Sequence, residues 1–422
     1  MQDACGDRRA RTLRLAGMVV GAAIVLAMSP MDGLADAPAS RPASSLLGKA
    51  RGSASTAPTT ATAPAGLPGV VEQFNFDRNA SLILLPVRFD GKEYLFVLDS
   101  GASTTIFDIS LRAKLGPARQ TATFRTGDQP VEMELFDAPN ASLGRLSLKQ
   151  AGLVACTDLA LLRRMEGRDI RGILSLAWLA RYAIQINYDA GRVTIFRRDG
   201  RKHPEWGESV PISVNRQGIP WVALKTGPDT EMECLIDTGM SGTGCLLEEI
   251  FDRVIKATGS PTIDSVLLTG SGIQQSRMMR VKALSIQSLR YEGLIFDQGS
   301  VCTLGAAFLS RHLVVFDLAG GRMYLKPGKT FSQPDEVDMS GLHIVPVNKT
   351  AVVAAVDPGS PAGKAGVRTS DVVLRVNSLE AATLDINQLR GLLQAEDGKQ
   401  ITMLLRRGEQ TRQVRFVLKR RI

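Results

Sequence analysis

The apolar positions of this chain fall into short runs rich in Val, Ile and Leu, and glycine-bearing turns separate the runs. Long stretches with helical spacing are scarce. Runs of this length and composition are typical of β-strands, so the pattern favours a mainly β protein. The chain has 422 residues, of which 44% are apolar and 22% charged, which is enough for several domains with cores of their own.

The first 37 residues have the pattern of an export signal. Arginines between Arg8 and Arg14 precede an apolar run, Leu15 to Met28, whose 14 residues are short for a membrane span. Small residues around Ala35 to Ala37 fit a cleavage site. We predict a cleaved signal peptide at 1–37 and export to the periplasm of a bacterium. The alternative is an uncleaved segment that anchors the protein in the inner membrane, facing the periplasm.

Polar composition and charge characterise both ends of the remaining chain. Residues 38–69 are Ala, Ser, Thr and Pro with almost no large apolar side chains, and such a segment cannot offset its ordering entropy by burial. We therefore predict a disordered tether there. The net charge is +9, and residues 341–422 hold 13 Lys and Arg against 7 Asp and Glu. A solvated basic face explains this excess, and nothing else in the sequence indicates nucleic-acid binding.

Cysteine and histidine are sparse and widely spaced. Cys5 would leave with the signal peptide, and the other four have no metal-site spacing; they are Cys156, Cys234, Cys245 and Cys302. The sequence leaves open whether they form disulfides or stay as buried thiols. The three histidines lie far apart, which argues against a histidine metal centre and weakens a Ser-His-Asp reading. We expect no metal and no organic cofactor.

Two sequence patterns occur twice in the same order. "FVLDSGAS", which starts at Phe96, is echoed by "CLIDTGMS", which starts at Cys234. "LSLAWLARYAIQINYDAGRVTI" starts at Leu174 and aligns without a gap with "LGAAFLSRHLVVFDLAGGRMYL", which starts at Leu304. Ordered repetition of two patterns indicates a duplicated β unit. The predicted units span 70–200 and 201–328.

Each unit contains an aspartate at the end of an apolar strand, with glycine two residues later. These are Asp99 with Gly101 and Asp237 with Gly239, and the intervening Ser100 and Thr238 can hydrogen-bond locally and hold the loop. If a pseudo-twofold axis brings the loops together, the two carboxyl groups share a proton. One then serves as general base and the other as general acid on the same water, which suits attack on an amide carbonyl.

These motifs resemble the catalytic loops of the pepsin and retropepsin superfamily of aspartic peptidases. Asp99-Ser100-Gly101-Ala102 matches the Asp-Ser/Thr-Gly-Ala/Ser pattern in full, and Asp237-Thr238-Gly239-Met240 departs at its fourth position. Leu304-Gly305 resembles the family's apolar-Gly segment, whereas its counterpart in the first unit ends in Ser175. The resemblance implies a bilobal pepsin-like fold made of two retropepsin-like β lobes, with Asp99 and Asp237 as the catalytic pair.

The same resemblance implies hairpin flaps over the substrate. "TATFRTGDQPVEM" looks like the pepsin flap with Phe in place of Tyr, and "LLTGSGIQQSRMM" is its counterpart in the second unit. The alternative is that both segments are ordinary β-hairpins. The candidate flap residues are Phe124, Thr126, Gly127, Gly270 and Gly272.

The last part of the chain, 340–422, resembles a bacterial PDZ domain. The resemblance rests on a set of apolar, glycine and turn residues that includes Pro358, Ser360-Pro361-Ala362, Ala365-Gly366-Val367, Asp371 and Val376-Asn377. PDZ domains bind an extended peptide at a sheet edge and hold its terminal carboxylate with backbone N–H groups. The resemblance places this loop at Gly341, Leu342, His343 and Ile344, where a plain strand start is the alternative. Residues 387–393 would form the helix beside the groove.

Taken together, these features predict an exported aspartic endopeptidase that hydrolyses a peptide or an unfolded protein. Its PDZ domain would recognise a C-terminal peptide ligand or regulate access. The alternative is a catalytically inactive pseudoprotease that works as a PDZ peptide-binding adaptor. Contact with a membrane is expected only if the signal segment is uncleaved.

Overall fold

The structure is a computed structural model, and it describes residues 20–21, 69–126, 129–201, 203–226, 230–269, 272–347 and 350–422. The predicted signal peptide and tether lie outside the described residues, apart from residues 20, 21 and 69. Two predicted flap residues, Gly127 and Gly270, lie outside them as well. The mainly β fold is confirmed, because strands far outnumber helices in the described part of the chain.

The strands and the helix up to residue 201 are β1 (Val20–Gly21), β2 (Val70–Asn75), β3 (Leu84–Phe89), β4 (Lys92–Asp99), β5 (Ile106–Asp108), β6 (Gln120–Thr126), β7 (Gln129–Asp137), β8 (Ala141–Leu143), β9 (Leu146–Ser147), β10 (Leu153–Thr157), α1 (Ala160–Glu166), β11 (Ile170–Ser175), β12 (Tyr182–Asn187) and β13 (Arg192–Arg197). Short 3-10 turns lie at Ile109–Lys114, Leu148–Ala151 and Leu176–Leu179.

The next section consists of β14 (Glu208–Pro211), β15 (Ser213–Val214), β16 (Pro220–Lys225), β17 (Glu231–Ile236), β18 (Gly244–Leu247), α2 (Glu248–Thr258), β19 (Thr262–Thr269), β20 (Gly272–Ile286), β21 (Leu289–Gly299), β22 (Thr303–Leu304), α3 (Ala306–Leu309), β23 (His312–Asp317) and β24 (Arg322–Pro327). Its 3-10 turns are Pro204–Trp206 and Leu318–Gly320.

The last section consists of β25 (Leu342–Val347), β26 (Thr350–Val356), α4 (Pro361–Lys364), β27 (Val372–Val376), β28 (Leu379–Glu380), α5 (Ile386–Leu392), β29 (Gln400–Arg407) and β30 (Gln410–Val417), with a 3-10 turn at Ala381–Thr383. The helix predicted beside the groove corresponds to α5. No helix among the described residues has both the length and the hydropathy needed to cross a membrane.

Two large sheets repeat one strand order. The first runs β6-β7-β10-β5-β11-β4-β3 and continues to β8 and β9. The second runs β19-β20-β21-β18-β22-β17-β16, with β15 beyond β16 and β1 beside β19. In both, the strand that leads to the Asp-Ser/Thr-Gly loop pairs in parallel with the strand of the later apolar segment: β4 with β11, and β17 with β22. The duplication read from the sequence thus appears as matching topology.

A third sheet joins the two halves of this region. Its order is β14-β24-β23-β12-β13-β2, so each half contributes three strands. Equivalent strands of the two halves lie at equal distances on either side of the central β12–β23 pair. That pair is antiparallel and sets Ile184 opposite Phe316. The large hydrophobic core also crosses the junction, since it includes buried side chains from Phe74 to Leu325.

Burial on both faces explains the composition of the strand that carries the first aspartate. The last four residues of β4, from Phe96 to Asp99, are all buried. Phe96 meets Phe107 of β5 edge to face, with ring centroids 5.1 Å apart. The sequence of a strand that is covered on both faces is a continuous apolar run, so a charged residue at its end is unusual.

The C-terminal sheet has its own core. Its order is β25-β26-β27-β29-β30, and β28 pairs with β27. Its buried cluster extends from Met339 to Leu418 and is separate from the large core. The four cysteines in the described part of the chain are buried free thiols.

Candidate active site

Two aspartates from different halves of the chain meet in the interior. Asp99 closes β4 and Asp237 follows β17 directly, and their exposed fractions are 1% and 0%. An added Cβ on Gly101 would lie 3.0 Å from both carboxyl oxygens of Asp237. An added Cβ on Gly239 would lie 2.5 Å from Oδ2 of Asp99. Each glycine therefore faces the carboxyl group of the opposite loop at a distance that excludes a side chain.

Ser100 and Thr238 fasten the two loops to each other. The backbone N–H of Ser100 donates to Oγ1 of Thr238, and the N–H of Thr238 donates to Oγ of Ser100, both at 3.0 Å. The Ser100 hydroxyl donates onward to the carbonyl of Ile236 at 2.6 Å, and the Thr238 hydroxyl to that of Leu98 at 2.7 Å. The expected local hydrogen bonds of these two residues are instead bonds across the junction, because the loops lie close enough for each hydroxyl to reach the other strand.

Each carboxyl group accepts backbone hydrogen bonds through its Oδ1 atom. Oδ1 of Asp99 accepts from the N–H groups of Gly101 and Ala102 at 2.7 and 3.0 Å. Oδ1 of Asp237 accepts from the N–H of Gly239 at 2.7 Å. The two Oδ2 atoms are buried and have no partner from the rest of the described protein. The two carboxyl groups nevertheless influence each other, since each contributes to the pKa shift of the other.

The electrostatics of the pair favour a single shared proton. Burial, followed by the negative charge of Asp237, raises the pKa of Asp99 well above its usual range. Burial also raises the pKa of Asp237, although the Gly239 N–H and the Asp99 carboxyl oppose this shift by donating to it. Two carboxylates this close cannot easily both ionise near neutral pH, so the pair as a whole is expected to hold a single proton.

Neither departure from the family pattern disrupts these loops. The Ser175 hydroxyl donates to the carbonyl of Ala102 at 2.6 Å. In the second half the N–H of Ala306 donates to the carbonyl of Met240 at the same distance of 2.6 Å. Ser175 thus gives the first loop the support that the backbone gives the second. Met240 is buried and packs with Cys245.

The hairpins predicted as flaps are β6–β7 and β19–β20. Phe124 is buried in the same cluster as Ala102 of the Asp99 loop. Gly272 begins β20. The side chain of Thr126 lies outside the described residues, as do both glycines noted above. The structure therefore brings one predicted flap residue, Phe124, close to the aspartate loop.

A buried ion pair behind the second loop was missed from the sequence. Asp335 lies in the segment that leads to the C-terminal sheet, and it pairs with Arg311. Its Oδ2 accepts from the Thr243 hydroxyl at 2.7 Å and from the N–H of Ile295 at 2.8 Å. The alignment of the two repeats pairs Arg181 with Arg311, but no local pattern marks Asp335 as the partner of Arg311.

The predicted carboxylate-binding loop of the C-terminal domain is filled by the chain itself. Oδ1 of Asp338 accepts from the N–H of Ser340 at 2.8 Å, of Gly341 at 2.5 Å and of Leu342 at 3.2 Å. His343 bonds Asp357 at 2.7 Å through its Nε2, and Ile344 is buried in the domain core. Of the four residues predicted to hold a peptide carboxylate, Gly341 and Leu342 thus have N–H groups that already have an acceptor.

Two family models match parts of the chain. Residues 85–178 match a model described as an aspartyl protease, and residues 352–407 match one described as a PDZ domain. The first match includes Asp99 and Ser175, whereas Asp237 lies beyond it. The chain therefore contains an aspartyl protease domain followed by a PDZ domain. No curated protein matches the chain.

Three solved structures that are similar to the chain show low TM-scores. A photosystem II D1 C-terminal processing protease shares 28% identity over 20% of this chain and 24% of its own, with a TM-score of 0.19. Conglutin gamma, a basic 7S globulin from lupine seeds, shares 14% identity over 61% of this chain and 95% of its own, with a TM-score of 0.36. Basic 7S globulin from soybean shares 15% identity over 61% of this chain and 94% of its own, also with a TM-score of 0.36. The chain spans about a quarter of the first structure. At such low TM-scores none of these likenesses bears on function.

Proposed function

We propose that this protein is an aspartic endopeptidase that cleaves peptide bonds with a water held between Asp99 and Asp237. The observation that carries the proposal is the buried pair of carboxyl groups, one from each repeated unit, locked together by the Ser100–Thr238 exchange. The matching strand order of the two large sheets supports a bilobal pepsin-like arrangement with lobes at 70–200 and 201–328. The PDZ domain would then occupy 340–422.

In this proposal Asp237 is the general base and Asp99 the general acid. Ionised Asp237 takes a proton from the water as its oxygen attacks the carbonyl carbon, while protonated Asp99 donates to the carbonyl oxygen. The resulting tetrahedral diol collapses as Asp237 passes the proton it took to the amide nitrogen, ionised Asp99 takes a proton from one diol hydroxyl, and the C–N bond breaks. The pair then returns to its singly protonated state. Asp99 is suited to the acid role because Asp237 and burial both raise its pKa.

The hairpins β6–β7 and β19–β20 are proposed as flaps that exclude solvent and position the peptide. Export to a bacterial periplasm is proposed on the basic and apolar pattern of residues 1–37. The PDZ domain would recognise a peptide or regulate access to the cleft. A direct test of the activity is hydrolysis of a denatured protein by the chain that begins at residue 38, beside Asp99→Asn and Asp237→Asn.

Carboxyl groups too far apart to share a water would support the adaptor alternative. The glycine distances and the mutual influence of the two carboxyl groups favour the enzyme, because each carboxyl lies against the opposite loop. An adaptor would bind peptides without turnover, so the hydrolysis assay separates the two functions.

Activity is expected to show a bell-shaped pH dependence with its maximum at acidic to neutral pH. Below the bell both carboxyl groups are protonated and the general base is lost; above it both are ionised and the general acid is lost. Burial raises the pKa of each group, so both limbs should lie above the titration range of an exposed aspartate. The profile of kcat/KM for a peptide substrate measures both limbs. A flat profile, or one that only rises with pH, would contradict the shared proton.

Gly239→Ala is expected to lower kcat/KM by about 10²-fold or more, because its methyl group would lie 2.5 Å from Oδ2 of Asp99 and push the carboxyl groups apart. Gly363→Ala, in α4 of the PDZ domain, is a matched control, since the nearest atoms there are at 3.2 Å. The control should keep wild-type activity. Equal activity of the two variants would show that the carboxyl groups do not need this close approach.

A further inference from the structure

A groove in the PDZ domain lies between its edge strand and a helix. Among the described residues β25 pairs with β26 on one side and has no strand on the other. Arg390 of α5 reaches across to β25, where its Nε and Nη2 donate to the carbonyl of Ile344 at 3.2 and 2.9 Å. A strand edge of this kind offers main-chain groups to an added segment.

The C-terminal end of α1, from the protease region, occupies this groove. Nη2 of Arg390 also donates to the carbonyl of Met165 at 3.3 Å. Gly167 lies between the two walls, because an added Cβ would be 3.1 Å from Pro346 of β25 and 3.9 Å from Ile386 of α5. The end of α1 thus takes up space between β25 and α5 that a bound peptide would need.

The same contact ties the PDZ domain to both halves of the protease region. Met165 packs in a small buried cluster with Ala355 of β26 and Val266 of β19. Because β19 belongs to the second candidate flap, the cluster joins that flap to α1 through the PDZ domain. A segment that displaced α1 from the groove would also loosen this hold on the flap.

Glu166, the last residue of α1, provides the charge opposite Arg390 but is poorly satisfied. It is 6% exposed, and its Oε2 accepts from the Ser81 hydroxyl at 2.8 Å while Oε1 has no partner in the described protein. Its charge acts on the Arg390 guanidinium without forming a direct ion pair with it. Burying a carboxylate with one oxygen that accepts no hydrogen bond costs desolvation free energy. A better-placed carboxylate could therefore replace it.

We propose that the groove between β25 and α5 binds an extended peptide segment that carries an internal acidic side chain, and that α1 is its intramolecular competitor. The segment adds to the edge of β25 and sets its carboxylate against the Arg390 guanidinium in place of Glu166. A free C-terminus is not required, since Asp338 already fills the N–H groups at the start of β25. The inference deepens the peptide recognition proposed above and does not depend on catalysis.

The test uses the full chain from residue 38 with Asp99→Asn, so that no probe is cleaved. The probe is a short peptide of alternating valine and serine with one central glutamate; it is labelled with fluorescein and amidated at its C-terminus. The control peptide is identical except that glutamine replaces the glutamate. Fluorescence anisotropy should show the glutamate peptide binding about 10-fold tighter, the effect of one charge-assisted hydrogen-bonded pair. Met165→Ala, which weakens the hold of α1, should strengthen binding of both peptides about 10-fold.

Arg390→Met should remove the difference between the two peptides, and Arg390→Lys should keep part of it because the charge remains. Thermal unfolding checks that both variants fold. If Arg390→Met does not fold, the comparison of the two peptides with Arg390→Lys still tests the proposal. Equal binding of the two peptides, or no binding even by Met165→Ala, overturns the proposal. A third probe is the glutamine peptide with a free C-terminus. If it binds more tightly than the amidated glutamate peptide, the proposal is also overturned, because the terminal carboxylate would then be the recognised group.

Discussion

Replacing either carboxyl group of the pair by an amide is expected to abolish peptide hydrolysis. Asp99→Asn removes the general acid and Asp237→Asn the general base, and each should lower kcat/KM by at least about 10³-fold. Neither amide can take part in the shared proton. Hydrolysis of a denatured protein, followed by gel or by released amines, measures the effect.

The loss should come without unfolding, which separates a chemical role from a structural one. An asparagine at position 99 keeps an oxygen for the N–H groups of Gly101 and Ala102. Asp297 gives a matched control: it is buried in β21, and burial raises its pKa to about 8, so it is mostly neutral at pH 7. Asp297→Asn should keep activity. Wild-type activity in both Asp99→Asn and Asp237→Asn would end the peptidase proposal.

Asp335→Ala is expected to be the most destabilising single change outside the pair. It leaves the Arg311 guanidinium buried without its counter-charge, and it strips acceptors from the Thr243 hydroxyl and the Ile295 N–H. Breaking a buried ion pair from one side costs about 3–5 kcal/mol. For a region of this size we expect the thermal unfolding midpoint to fall by about 10 °C.

The neighbouring residue offers the contrast. Glu336 pairs with Arg420 at 2.6 Å, but both side chains are partly exposed, so Glu336→Ala should cost about 0–1 kcal/mol. Adding Arg311→Met to Asp335→Ala should recover part of the loss, since no uncompensated charge remains. If Asp335→Ala and Glu336→Ala melt at the same temperature, the buried pair is not a structural support.

Local patterns were enough to predict the β fold and the approach of the two aspartates. Asp99 and Asp237 stand out because each ends a buried strand, and burial on both faces leaves an unbroken apolar run before the charge. The repeat then implied that two equivalent loops would lie near each other. The alignment of Leu174 with Leu304 corresponds to β11 and β22, which pair in parallel beside the aspartate strands.

Contacts between distant segments could not be predicted in this way. The Ser100–Thr238 exchange joins residues 138 apart, and the Arg390–Met165 contact joins residues 225 apart. Neither contact produces a periodic pattern in the sequence. A serine, threonine or arginine looks the same in the sequence whether its side chain bonds its own loop or another domain. Asp338 was likewise overlooked, since its role depends on a turn that directs three N–H groups at one oxygen.

The β12–β23 pairing has a consequence for assembly. A first half produced alone would expose the edge of β12 where β23 now lies, together with the apolar surface that the second half covers. Because both halves share one strand order, a second copy of the first half presents the same edge and can fill the vacated place. A half-chain would therefore have the edge and the apolar face that a symmetric dimer needs, whereas in the full chain the covalent link makes the same association independent of protein concentration.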